Sequence, residues 1–158
     1  MEDKDFLGYF NKLSPPASTD EIKGAAAKIV NTLVVIGAKG AAEGQKKSAE
    51  DAEKAIKAKY ETGDLGEKVS ADLNYTLKRL VRGLYSENHQ VKQGFFLASV
   101  LVLSKFRSVI DFEKYLKHVF AETKVHASMK SSEGNNMSLG RMMAMSACIE
   151  ARIFLPST

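Results

Sequence analysis

The stretch YTLKRLVRGLYSENHQVKQGFF, residues Tyr75–Phe96, decides the fold class because it contains the end of one helical pattern and the start of another. Five apolar residues recur at i, i+4, i+7, i+8 and i+11, which predicts one buried face on a helix from Asp72 to Tyr85. Ser86 fits the cap of a second helix, Glu87 to Phe106, which is apolar nearly all round from Gly94 onward and therefore predicted to be central. The apolar face of the first helix consists of Leu73, Leu77, Leu80, Val81 and Leu84.

Helical periodicity also dominates the rest of the chain. Ser18 and Glu21 have the spacing of a capping box, and Pro15-Pro16 ends the segment before it. No run of alternating apolar and polar residues predicts a strand, so the class is all-α. The further predicted helices are Asp3 to Leu13, Ser18 to about Gly37, one that Asp111 caps, and a last one from Asn136 or Ser138 to about Phe154.

Tight turns between long helices favour antiparallel helical hairpins stacked as an armadillo- or HEAT-like repeat array. We expect a single domain over residues 1–158 with two irregular parts. Residues 38–70 are rich in Ala, Lys and Glu and form a flexible, low-complexity insert in this prediction, with residues 48–60 as a candidate surface helix. Residues 123–136 are predicted to be a polar loop. The apolar residues Ile149, Ile153 and Phe154 lack a predicted covering element, so we expect the array to continue.

The composition is that of an ordinary globular chain with a mild charge. The net charge is +4 over 158 residues, and residues 78–117 hold eight Lys/Arg against three acids. The single cysteine, Cys148, excludes an internal disulfide framework and suits a reducing compartment. The longest apolar run, Gly94 to Leu103, is about half the roughly 20 residues that a membrane-spanning helix needs.

Four segments carry a family resemblance: YTLKRLVRGLYS, the QGFF that follows it, LGRMMAMSACIEARIF, and FLGYFNKLSPP near the N-terminus. They resemble the N-terminal region of the DNA polymerase phi family, which includes animal Myb-binding protein 1a and fungal DNA polymerase V. Asn88, Lys92 and Met143 depart from the family pattern, which has arginines near the first two positions and an aromatic residue at the third.

The resemblance implies a function as well as a fold. Family members are armadillo/HEAT-type proteins of the nucleus and nucleolus, and they are not convincing polymerases. They act in rRNA transcription, ribosome biogenesis and transcription regulation. Their partners are ribosome-biogenesis or transcription proteins and, in part, rDNA or rRNA. The resemblance implies neither a membrane nor a small-molecule substrate.

An enzymatic function is not expected from the residues themselves. Nucleotidyl transfer needs two or three carboxylates converging on Mg²⁺, and the candidates are Asp111, Glu113 and Asp72. Asp111 has a helix to cap, and Glu113 points elsewhere on the same helix. The chain has no Gly-rich phosphate-binding loop. No catalytic residue, cofactor or metal is therefore predicted, since the histidines and the cysteine also lack metal-ligand spacing: His89, His118, His126 and Cys148.

The best candidate site is a basic arc on the central helix. At 100° per residue, Lys78, Arg79 and Arg82 lie together opposite the apolar face, and Lys92 follows on the next helix. One interpretation is a solvated face whose long stems cover apolar neighbours. The other is contact with DNA, RNA or an acidic partner, in which each phosphate contact adds salt-dependent affinity. A non-catalytic scaffold and a direct nucleic-acid-binding module therefore remain alternatives, and a polymerase is the least favoured.

Four other features carry structural predictions. Glycine inside a helix costs up to about 1 kcal/mol against alanine, so we expect close helix approach at Gly83, Gly94 and Gly140. Met142 and at least one neighbouring methionine are expected to lie in the core, whereas Met137 is expected to be exposed before the cap. Cys148 is expected to be a small core residue. Arg141 is expected to pair with an acid on a neighbouring helix.

Overall fold

The computed structural model describes residues 4–13, 18–42 and 65–155. These residues contain α-helices and turns and no strand, which confirms the all-α class. The described helices are α1 (Lys4–Asn11), α2 (Thr19–Ala42), α3 (Ala71–Leu84), α4 (His89–Phe106), α5 (Phe112–Glu122) and α6 (Ser131–Glu150).

Side-chain caps fix where several helices begin. The capping box before α2 is confirmed, because the Ser18 backbone N–H donates to Glu21 Oε2 at 2.7 Å and the Glu21 N–H to Ser18 Oγ at 3.3 Å. Asp111 Oδ1 accepts from the Lys114 N–H at 3.1 Å and confirms the predicted cap of α5. The cap of α4 is Asn88 rather than Ser86, since Asn88 Oδ1 accepts from Gln90 N at 2.9 Å. Each cap supplies a partner for backbone donors that have none within the helix.

Two predicted irregular segments are shorter than expected. Helix α6 begins at Ser131, inside the polar loop predicted over residues 123–136. The Lys130 N–H donates to Glu133 Oε2 at 3.1 Å, so a glutamate in the first turn is the hydrogen-bond partner at the start of this helix. The cap position itself holds no Ser, Thr, Asp or Asn, which are the residues that usually mark a helix start.

The predicted insert is also shorter at both ends, because α2 continues to Ala42 and Leu65 is buried. Its remainder, residues 43–64, lies outside the described residues and includes the candidate helix over 48–60.

The backbone of Leu65 is held from two directions. Its N–H donates to Asn74 Oδ1 at 3.3 Å, and its carbonyl accepts from the Asp111 N–H at 2.8 Å. The segment before α3 is therefore attached both to α3 and to the start of α5. The Asn74 side chain and the backbone N–H of Asp111 thus fix the position of Leu65, which the composition of this segment did not predict.

The helices pack in a regular order around one core. Helix α1 packs on α2, α3 on α4, and α5 on α6, while α4 also contacts α2 and α6. The central position predicted for α4 is therefore confirmed. Helix α3 contacts α4, α5 and α6, so it is covered on more sides than its apolar stripe alone indicates. The largest fully buried side chains are Tyr115, Phe10, Leu13, Ile29, Leu77, Leu80, Leu84, Leu103, Val81, Val102, Val119 and Thr76.

The glycine predictions are confirmed by contacts between elements. A Cβ built on Gly83 would collide with the ring of Phe95 on α4, and one on Gly94 with the backbone carbonyl of Leu13. At Gly140 a Cβ would lie 2.7 Å from the Cβ of Tyr85. Glycine at these positions lets the backbones approach, which offsets its cost within a helix.

Helix α6 is buried through its small residues rather than its methionines. Gly140, Ala144, Ala147 and Cys148 form its inner face, and this confirms the core position of Cys148. The prediction for Met142 is wrong, because 65% of that residue is exposed. The small inner face places α6 close to its neighbours and leaves the larger side chains outside. This exposed face, the α6 stripe, comprises Leu139, Met142, Met145 and Ile149.

The chain turns back directly after α6. The Ile153 N–H donates to the Cys148 carbonyl at 3.3 Å and the Arg152 N–H to the Ile149 carbonyl at 3.0 Å, which is a Schellman motif. Arg152 takes the left-handed position with φ 52°, where glycine is usual. This turn buries Ile153, so the expectation that Ile153 stays uncovered is wrong, whereas Phe154 is exposed.

Candidate functional site

The basic arc predicted on α3 does not form a continuous solvated ridge. Lys78 is buried, with 6% of the residue exposed. The helical wheel placed it opposite the core, but α5 packs against α3 as well and covers that side. Burial lowers the pKa of His118 on α5, and the charges of Lys78 and Arg82 lower it further. Lys78 therefore belongs to the contact between α3 and α5.

Arg79 is directed toward α1. Its guanidinium carbon lies 4.8 Å from the centre of the Phe10 ring, and its Nη1 donates to the Tyr75 hydroxyl at 3.3 Å. A cation over an aromatic face is attracted by the ring quadrupole. Arg79 is half-buried, so it connects α1 to α3 more than it presents charge to solvent.

Arg82 is the most exposed member of the predicted arc, with 64% of its side chain exposed. Its Nε donates to Glu122 Oε2 at 3.3 Å, and the Tyr85 hydroxyl donates to the same oxygen at 3.5 Å. Burial raises the pKa of Tyr85, and the Glu122 carboxylate raises it further. The positive charge of Arg82 is thus partly offset by a carboxylate.

Lys92 does not lie on the surface either. Only 4% of the residue is exposed, and its Nζ donates to Asn136 Oδ1 at 2.8 Å. This bond joins α4 to α6. Asn136 can accept it because α6 already includes position 136, where the sequence predicted a loop or a cap. Of the four basic residues predicted to bind a partner, Lys78 and Lys92 are buried, Arg79 is half-buried and Arg82 is exposed.

The residues between α3 and α5 form an internal electrostatic cluster. His118 Nε2 is buried and makes no hydrogen bond to the described residues. Its pKa is lowered, first by burial, although the Glu122 carboxylate opposes that shift. His118 thus lies near one carboxylate, that of Glu122, and two cations, Lys78 and Arg82. This group does not provide the two or three converging carboxylates that metal-assisted nucleotidyl transfer needs.

The candidate catalytic carboxylates of α5 have structural partners. Asp111 caps the helix, as predicted, and Glu113 accepts from Lys117 Nζ at 2.7 Å one turn along it. Within residues 4–13, 18–42 and 65–155, no group of three His, Cys, Asp or Glu side chains is arranged to hold a metal ion. Asp111 and Glu113 therefore stabilise α5, which is a local role for each.

Arg141 contacts the end of a helix rather than an acid. It hydrogen-bonds to both the hydroxyl and the carbonyl of Thr123, so the predicted ion pair is corrected. The guanidinium also lies over the ring of Phe120. Every residue has a backbone carbonyl, so the sequence does not reveal which one an arginine will bind. The position of Arg141 beside Gly140 was the one feature of the sequence that distinguished this arginine.

An apolar groove between α2 and α4 was not predicted from the sequence. Its lining residues include Ala27 and Val30 of α2 and Leu101 of α4, and its volume is about 390 Å³. A signal was present in the sequence, since Ala27, Val30 and Val34 form a second apolar stripe on α2 beside the buried one. We call this feature the α2–α4 groove, lined by Ala27, Val30, Asn31, Leu101, Ser104 and Lys105.

None of the helices in the described ranges is long and apolar enough to cross a membrane.

Comparison with known proteins gives one result that concerns the family. No curated protein shows significant similarity to the chain, and no solved structure does. The family model for DNA polymerase phi matches residues 75–158, which is just over half of the chain; the match begins within α3 and includes α4, α5 and α6. The segment FLGYFNKLSPP lies before this match. On the strength of this match, the chain belongs to the DNA polymerase phi family.

Proposed function

We propose that the chain is a non-catalytic helical-repeat scaffold of the nucleolus that acts in rRNA transcription, ribosome biogenesis and transcription regulation. The observation that carries the proposal is the family match over residues 75–158. Members of that family resemble binding proteins more than polymerases. The scaffold would act through surfaces that hold ribosome-biogenesis or transcription proteins.

The packing order supports a repeat array of the armadillo or HEAT kind. Among the described helices, α1 packs on α2, α3 on α4 and α5 on α6, and the helices α2, α4 and α6 are neighbours in that order. Each pair thus packs on the next through its second helix, as stacked helical repeats do. The α6 stripe, which is apolar and exposed, is the surface on which another hairpin of such an array would pack.

The described carboxylates support a non-catalytic role. Asp111 caps α5 and Glu113 pairs with Lys117, so two of the three carboxylates considered for Mg²⁺ have structural partners. The test is Mg²⁺-dependent nucleotide incorporation by the purified chain on a primed template. We expect no incorporation above that of a matched Asp111→Asn variant, which retains a capping side chain. Incorporation that Asp111→Asn abolishes would refute the proposal.

Cellular location and rRNA output test the biological part. A fluorescent fusion of the chain should concentrate in nucleoli, and depletion of the protein should lower pulse-labelling of new rRNA. A uniform cytoplasmic signal, or unchanged rRNA labelling after depletion, would contradict the proposed function.

Direct DNA or RNA binding through the basic residues is the weaker alternative. Two of its four residues, Lys78 and Lys92, are buried, so the arc presents fewer cations than the sequence indicates. Each lost phosphate contact lowers the dependence of affinity on salt. In a salt titration with RNA and with DNA, we expect Arg82→Ala to bind as the unsubstituted chain does. A clear decrease in both affinity and salt slope would favour the alternative.

A further inference from the structure

The α2–α4 groove leaves an apolar surface open between two packed helices. Ala27 and Val30 form one wall and Leu101 forms the other, with a volume of about 390 Å³ between them. Leu101 is 37% exposed and Val34, one turn after Val30, is 38% exposed. These side chains are apolar, yet no described part of the chain covers them.

One face of α2 extends the groove beyond its lining residues. Lys23, Ala27, Val30 and Val34 recur at i, i+4, i+7 and i+11 and share a face at 100° per residue. The buried residues of α2 lie on a separate face: Ala25, Ala26, Ile29 and Leu33. From position 23 to position 34 a helix rises about 16 Å, roughly three turns. The exposed stripe thus has the length of a short docked helix.

Both walls of the groove lack acidic residues. Neither Ile22 to Ala42 nor His89 to Ile110 contains an Asp or a Glu. Lys105 lines the groove, and Lys23 is exposed on the same face of α2 as Ala27. An apolar strip whose nearby charges are cationic is complementary to an apolar helix face flanked by carboxylates.

We propose that the α2–α4 groove binds an acidic amphipathic helix of a partner protein. Its apolar side chains contact Ala27, Val30 and Leu101, and one of its carboxylates pairs with Lys105. The inference rests on the proposed function, since a scaffold acts by holding other proteins. A single-stranded nucleic acid suits the groove less well, because the described lining residues include no aromatic residue to stack on bases and a single cation, Lys105.

Synthetic peptides can test both the apolar and the charged part of this proposal. The probe is a fluorescein-labelled helix with leucines at i, i+3, i+4 and i+7 and glutamates on its other faces. One matched peptide carries lysines in place of the glutamates, and a second carries serines in place of the leucines. By fluorescence anisotropy with the full chain, we expect the acidic peptide to bind at least about tenfold more tightly than either matched peptide, a difference of about 1.4 kcal/mol.

Variants of the chain locate the binding. Lys105→Glu should weaken the acidic peptide at least about tenfold and improve binding of the lysine peptide, because it reverses the charge on the groove. Lys124→Glu changes an exposed lysine that is not among the groove residues. The affinity of this variant for the acidic peptide should stay within about twofold of that of the unsubstituted chain. Ala27→Phe should fill the groove and weaken binding. Unchanged circular dichroism melts will establish that each variant is folded.

The position of the peptide on the chain gives an independent readout. Amide NMR shifts caused by the acidic peptide should cluster at residues 27–34 and 97–105. Equal affinity for the acidic and lysine peptides, no effect of Lys105→Glu, or shifts confined to other helices would each overturn the proposal. Tighter binding of a mixed-sequence RNA in the same groove would overturn it in favour of nucleic acid.

The groove and the proposed function can fail separately. A chain that binds the acidic peptide at residues 27–34 and 97–105 but does not enter nucleoli refutes the nucleolar function and leaves the groove in place. A nucleolar chain in which Lys105→Glu changes the affinity of neither the acidic nor the lysine peptide refutes the groove alone.

Discussion

Arg141 on α6 donates two hydrogen bonds to Thr123, the residue that caps the C-terminus of α5. Its Nε lies 3.0 Å from Thr123 Oγ1 and its Nη2 lies 2.6 Å from the Thr123 carbonyl oxygen. Thr123 Oγ1 in turn donates to the Val119 carbonyl at 2.7 Å. A cation at this end of a helix satisfies carbonyls that have no partner within the helix and interacts favourably with the helix dipole. One side chain thus fixes α6 against the end of α5.

Removing that guanidinium should destabilise the chain measurably. We expect Arg141→Met to lower the free energy of unfolding by about 1.5–3 kcal/mol, because a charged hydrogen bond to a buried residue is lost. The stability of Arg141→Lys should lie between that of the unsubstituted chain and that of Arg141→Met, since an ammonium cannot make both hydrogen bonds of the guanidinium. Urea unfolding will measure both. Lys124→Met, at an exposed position, is the matched control and should stay within about 0.5 kcal/mol, and an Arg141→Met variant as stable as this control would refute the role.

Gly83 offers a test in which helix propensity and packing predict opposite results. Propensity alone predicts that Gly83→Ala gains up to about 1 kcal/mol. The added Cβ would collide with the Phe95 ring, so we expect a loss of about 1–3 kcal/mol from overpacking. Gly24→Ala on α2 is the matched control, because a Cβ at Gly24 meets no atom within 4 Å. That variant should be stabilised in thermal and urea unfolding, and a stabilised Gly83→Ala would contradict the close packing of α3 on α4.

The helices were predictable because their apolar residues recur at a fixed period. Leu77 and Leu80 are fully buried, as the pattern on α3 requires. The start of α6 was missed because the contact there is from the Lys130 N–H to Glu133, and no oxygen-bearing side chain stands at the cap position. Met142 was misplaced because hydrophobicity alone does not reveal that a face of small residues, such as Ala144 and Ala147, packs closer than one of methionines.

The candidate site was harder to predict than the fold. A helical wheel assumes that one face of α3 meets the core, whereas α5 also covers the side on which Lys78 lies. Contacts such as that of Lys92 with Asn136 join residues 44 positions apart. Their spacing along the chain contains no period from which they could be inferred. The groove was in principle readable from the second stripe of α2, including Val30 and Val34, but only once α4 was known to lie beside it.

The buried and exposed members of the basic set should respond differently to substitution. Lys92→Met breaks a hydrogen bond of 2.8 Å to Asn136 at a site with 4% exposure, and we expect a loss of about 1–3 kcal/mol in unfolding free energy. Arg82→Met removes an ion pair whose arginine is largely exposed, so its effect should be about 0–1 kcal/mol. Urea unfolding of both variants makes the comparison. If Arg82→Met were the more destabilising of the two, the burial assigned to these residues would be incorrect.

His118 should make stability depend on pH near neutrality. Burial holds its pKa below the usual 6.5 in the folded chain, and Lys78 and Arg82 contribute to that shift while Glu122 opposes it. The unfolded chain then binds more protons as the pH falls through about 6.5. The free energy of unfolding should therefore decrease on acidification from about pH 7.5 and level off below the folded-state pKa.

Urea unfolding between about pH 7.5 and 5.5, above the range in which most carboxylates titrate, should show this slope in the unsubstituted chain. His126→Gln keeps the buried imidazole of His118 and should retain the slope, whereas His118→Gln should flatten it. Identical slopes in the two variants would show that His118 is not the group responsible.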